Sequence, residues 1–208
     1  MIPLKSSEGV SRFPQSSLLV ILLFILLDLL SRFWPGPRID FLNLISHNNE
    51  WKSSGLLSFL FHPHFFSLFI NLIYLWAFTP KLFEERSPLL QIFIAIIGVE
   101  LSFLIYHFVH PDIRSPILAP ETFTAALMGL SGKRSIWEST STLVLGPGWI
   151  RVYEVPSYVL LFFFLFYLLI SQLLMPEPFN EAPMPYLMPL VSFLWGFGVS
   201  LCLKRPSL

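Results

Sequence analysis

Residues 120–132 read PETFTAALMGLSG, and the meaning of this stretch decides the fold. As an α-helix its 13 residues rise only about 20 Å, whereas the hydrocarbon core of a bilayer is about 30 Å thick. A helix that short persists at membrane depth only when other helices surround it and a water-accessible dip or buried loop leads to it. Ala125, Ala126, Gly129 and Gly132 supply a face on which neighbouring backbones can approach closely. Composition and the runs on either side decide whether a bundle exists to enclose it.

The chain has 208 residues, 54% of them hydrophobic, 16% aromatic and only 12% charged. Its mean hydropathy is +0.68. Soluble domains carry about 25% charged residues, so half the usual solubilising charge is missing. The apolar area exceeds what one water-soluble core can bury. The 13 Lys and Arg balance 13 Asp and Glu, which removes the basic excess that nucleic-acid recognition requires. The one cysteine, Cys202, excludes a disulfide framework and a cysteine metal cage. It reads as a small buried hydrophobe near the end of the last apolar run.

Apolar runs flank the short stretch on both sides, at residues 17–34, 64–79, 88–110, 156–175 and 186–203. With residues 120–132 as the fourth, they predict an all-α polytopic membrane protein of six spans whose short fourth helix is enclosed. The first run carries Asp28 and Arg32 and ends in Phe33-Trp34 without a small-residue cleavage site, so it reads as a retained helix. Residues 1–16 form an N-terminal segment, 17–203 the membrane domain and 204–208 a tail. Basic residues orient it. Lys5, Arg12, Lys81, Arg86, Lys133, Arg134, Arg151, Lys204 and Arg205 fall on one side of a six-span chain, against Arg32, Arg38, Lys52 and Arg114 on the other. The positive-inside rule then places both termini in the cytoplasm, with the plasma (inner) membrane as the site if the source is bacterial. Ser192, Gly196 and Ser200 recur every four residues on the sixth run. With Ala125 and Gly129 on the fourth they predict that these two helices pack closely.

The second run carries a more specific pattern. Residues 60–84 read LFHPHFFSLFINLIYLWAFTPKLFE. His62, then Asn71 nine residues on, a Leu-Trp run and a closing Glu84 resemble the second helix of the rhomboid family of intramembrane serine proteases. Trp51-Lys52 is similar to the Trp-Arg of that family's first loop, and residues 151–158 to its lead-in to the fifth helix. Residues 122–129 align with the family's Gly-x-Ser-Gly-x-x-x-Gly, and residues 189–196 with its His-x-x-Gly-x-x-x-Gly. The resemblance covers roughly residues 45–205.

A rhomboid cleaves a peptide bond within the membrane, using a serine on the fourth helix activated by a histidine on the sixth. In this chain Thr124 stands at the serine position and Pro189 at the histidine position. Ser67 replaces the second histidine of helix two, which together with Asn71 and His62 belongs to the oxyanion-stabilising set in the resemblance. Proline cannot take a proton, so the dyad as the family builds it is absent. Gly129-Leu130-Ser131-Gly132 also reads as Gly-x-Ser-Gly. Ser131, however, lies about 10 Å further along the axis than Thr124, beside the basic pair Lys133-Arg134, and no histidine follows His110.

His47, His62, His64, His107 and His110 all fall on the non-cytoplasmic side of this topology. His107 and His110 share a helical face, and with His62 or His64 they would make a three-ligand zinc site with one open position. No known metal-spacing motif is present, and interfacial snorkelling of polar tips is the common explanation for such histidines. Glu100 near the middle of the third run is expected to hold that helix to a neighbour. Asp28, nearer a span end, is expected to reach water. No cofactor is implied. The reading is a rhomboid-like protein without proteolytic activity, with the lipid bilayer and the transmembrane segments of other proteins as partners. Two alternatives stay open: an intramembrane serine endopeptidase with an atypical nucleophile, and a membrane carrier or metal-handling protein.

Overall fold

Each of the six runs is a helix. The computed structural model describes residues 2–6, 15–33, 62, 65–110, 120–135, 139–146, 149–174 and 186–203. In chain order they form β1 (Ile2–Ser6), α1 (Gln15–Phe33), α2 (Phe65–Glu85), α3 (Pro88–Val109), α4 (Glu121–Ser135), β2 (Ser139–Gly146), β3 (Trp149–Pro156), α5 (Ser157–Leu174) and α6 (Leu187–Cys202). Trp51-Lys52, His47, His64 and the 204–208 tail lie outside the described residues.

The helix ends follow from local chemistry. Helix α2 was expected to stop before Pro80 but continues to Glu85. A proline removes one ladder bond near a helix end without ending the helix. Helix α3 restarts the chain after a short turn with Pro88 in its first position, where the missing N–H has no intrahelical partner in any case. The side chain of Gln91 closes that turn by donating to the Leu82 carbonyl. Pro189 is tolerated in the first turn of α6 for the same reason.

Contacts along the helices set their directions. Ser67 and Glu121 meet at the starts of α2 and α4, and further along Phe78 meets Met128 and Ser131, so these two run the same way. Helix α5 runs oppositely, with Tyr167 at Glu121 and Ser157 and Leu161 beside Ser131. Asp28, late in α1, faces His62 just ahead of α2. Trp195 of α6 donates to the Ile94 carbonyl of α3, while Ser192 sits beside Gly98. Odd and even helices therefore alternate in direction.

Apolar side chains form the outside of the bundle as well as its core. Every residue from Pro120 to Gly132 is buried, so the first three turns of α4 form the centre. Buried polar side chains include Asp28, His62, Ser67, Asn71, Gln91, Glu121, Thr122, Thr124 and Ser192. The exposed faces of the other five helices carry Leu, Ile and Phe, among them Leu19, Leu26, Phe69, Phe93, Leu104, Phe162 and Leu194. Two helical stretches, Phe65–Glu84 and Pro88–Val109, are long and apolar enough to cross a membrane; Gln15–Leu30, Ser157–Ile170 and Leu187–Cys202 are shorter.

Two expectations are corrected. The fold is mostly helical but not all-α: β1, β2 and β3 form an antiparallel sheet in that order. Strands β2 and β3 pair from Ser139↔Pro156 to Gly146↔Trp149 as a hairpin, and β1 joins the β2 edge with Ile2↔Leu143 and an irregularity between Pro3 and Lys5. A proline is acceptable there because β1 is an edge strand. The sheet lies at the end of the bundle where α4 finishes and α5 begins, and β1 also packs on α2. Cys202, expected buried, is exposed, because it falls on the outward side of α6 with Leu194 and Leu201.

Candidate functional site

The polar groups gather around the start of α4. Glu121 lies in its first turn, where a carboxylate complements the helix dipole. Although only 8% exposed, it accepts a hydrogen bond from the Ser67 hydroxyl of α2 at 2.6 Å and from the Tyr167 hydroxyl of α5 at 3.4 Å. One side chain thus ties three helices.

One turn deeper, Asn71 on α2 and Thr124 on α4 are fully buried. The Asn71 amide donates back to the Ser67 carbonyl at 3.1 Å. Its Oδ1, together with Oγ1 of Thr122 and of Thr124, has no hydrogen-bond partner.

On the α1 side, Asp28 is fully buried rather than reaching water. The Arg32 guanidinium donates to its Oδ2 at 2.6 Å, and Nδ1 of His62 lies 3.7 Å from its Oδ1. The Phe24 ring packs against both His62 and Phe123, with centroids 5.8 and 5.7 Å away, which links this charged group to α4.

Peptide-bond hydrolysis by a hydroxyl needs a base within hydrogen-bond reach. Thr124 has none. Pro189 is buried in the first turn of α6. Ser131 spends its hydroxyl on the Met128 carbonyl of its own helix, at 2.7 Å. It lines a small cleft with Phe78, Ser157 and Phe193 near the opposite end of α4. Ser67 does meet an acid, Glu121, but a carboxylate is a much weaker base than imidazole, so this bond positions rather than activates.

No family model, no curated protein and no solved structure matches the chain.

The packing residues separate into two faces. A Cβ on Gly129 would strike the backbone of Phe193 and Phe197, and one on Gly196 the backbone of Ala126 and Leu130. Ser192 lies where α6 meets Gly98 of α3. Ala125 instead clusters with Tyr74, Phe78 and Phe164 on the α2 and α5 side. Among the histidines, His107 and His110 pack around Tyr106, with centroids 6.3 and 5.0 Å away, and His62 sits with Asp28. Among the described residues no three His, Cys, Asp or Glu side chains come together as a metal site.

Sequence reasoning passed over Asp28, Glu121 and Tyr167 as members of this cluster. An acidic residue opening a helix otherwise made of small and apolar residues was the available signal for Glu121.

Proposed function

We propose that the chain is an integral membrane protein of rhomboid-like architecture, crossing the bilayer six times with both termini in the cytoplasm. On this reading it lacks the serine–histidine dyad and holds transmembrane segments of other proteins. The apolar exterior carries the proposal. Leu and Phe line the outside of five helices while carboxylates, amides and hydroxyls lie within. An apolar exterior this extensive calls for lipid, and ionisable groups at membrane depth face protein. The lack of a base at Thr124, the proline at 189 and the self-bonded Ser131 support the inactive form. The polar seam where α2, α4 and α5 meet is the client site of this reading.

The test is reconstitution in phosphatidylcholine vesicles with a fluorescent transmembrane peptide. Resistance to carbonate extraction, binding of the peptide without cleavage, and no labelling by a fluorophosphonate are the expected results. Cleavage or labelling that disappears in Thr124→Ala, Ser131→Ala or Ser67→Ala would establish a serine endopeptidase instead.

A further inference from the structure

Glu100 is expected to hold α3 to a neighbouring helix, yet its Oε1 has no hydrogen-bond partner. The buried side of α3 is formed by Ala95, Gly98, Val99, Ser102, Phe103 and Tyr106. Glu100 lies at its edge, three residues before the buried Phe103. Phe93, Ile97, Leu104 and Phe108 stand seven and three residues before it and four and eight after it, which is one helical stripe. These four are 61%, 37%, 59% and 84% exposed. Glu100 therefore sits part-buried at the border between this outward apolar stripe and the buried side, on a helix long enough to cross a membrane. Its unpartnered Oε1 is buried.

We infer that this face of α3 docks a transmembrane segment of another protein that carries a lysine or arginine near its middle, with Glu100 as the charged anchor. The inference rests on the membrane reading but concerns a surface distinct from the polar seam at α4. A carboxylate at membrane depth without a hydrogen-bond partner is costly, and the complementary partner is a cation at the same depth. The described helices of a second copy offer no such cation. Lysines and arginines within its described helices lie near helix ends, at Arg32, Lys81, Lys133 and Arg134, and α3, α5 and α6 contain none.

The test uses the full chain in phosphatidylcholine vesicles, labelled with a donor dye at its one cysteine, the exposed Cys202. The probes are two acceptor-labelled 20-residue peptides, one all leucine and one with a single central lysine. The lysine peptide is expected to bind on the order of tenfold more tightly, and Glu100→Gln to reduce it to the level of the leucine peptide while helix content is unchanged. Equal binding of the two peptides to inserted protein overturns the inference alone, as does a preference that survives Glu100→Gln. Energy transfer between two copies that is lost in Glu100→Gln also overturns it, by making the occupant a second copy. A chain that stays outside the vesicles overturns the membrane reading and the inference with it.

Discussion

Glu121 joins three helices through one carboxylate, so its removal should be felt beyond its own position. Glu121→Ala strands the hydroxyls of Ser67 and Tyr167 in the core. Hydrogen bonds to charged groups contribute about 1.5–3 kcal/mol each, and a loss in that range is expected, measured by denaturant titration in detergent micelles. Glu121→Gln keeps an acceptor and should lose less; equal losses in the two variants would show that the bonds do not matter. Asp28 and Arg32 give an asymmetric pair. The Arg32 side chain is 32% exposed and Asp28 1%, so removing Arg32 strands a buried carboxylate without its guanidinium. Arg32→Ala should therefore be clearly destabilising in the same titration, and Asp28→Asn, which removes the buried charge as well, should lose less. Both carboxylates were visible in the sequence as charges inside apolar runs. Their partners were not, because helical periodicity says which residues share a face but not which helix that face meets.

At the scale of elements, the small-residue stripes on α4 and α6 converge in the structure, and glycines that look alike in the sequence part company there. Gly129 and Gly196 each have partner backbone where a Cβ would stand, whereas Gly198 on the same helix has nothing within 4 Å. Gly196→Ala should cost about 1–3 kcal/mol by overpacking, more if α4 and α6 are forced apart. Gly198→Ala should be neutral or stabilising by up to about 1 kcal/mol through helix propensity. Thermal unfolding of the two variants side by side checks the contrast, and a Gly196→Ala protein as stable as Gly198→Ala would contradict the close approach. The sheet is the element that went unread. Residues 139–156 are rich in β-branched and aromatic side chains, Thr140, Thr142, Val144, Ile150, Val152 and Tyr153 among them, a composition that fits paired strands. Between two apolar runs such a stretch reads as a connection, and the part resembling a lead-in to the fifth helix is the strand that runs straight into α5.

For the whole molecule, composition revealed an excess of apolar surface, and the enclosed position of residues 120–132 followed from their shortness and small side chains. What composition could not reveal is how the two ends of the bundle differ. One end gathers Asp28, His62, Ser67 and Glu121, while the other carries the sheet. That arrangement makes the topology testable, because β1 pairs with β2 and thereby places residues 2–6 beside residues 139–146. The N-terminus and the connection between α4 and α5 must then share one side of any membrane the helices cross. Single cysteines at Ser6 and Ser139, in a Cys202→Ser background, should both react with a membrane-impermeant maleimide from the same face of sealed vesicles. A cysteine at Phe33, at the far end of α1, should react only from the opposite face. Labelling of Ser6→Cys and Ser139→Cys from opposite faces would separate the two strands. It would then remove the sheet and the shared placement of these ends together, because a three-stranded antiparallel sheet cannot be divided by a bilayer.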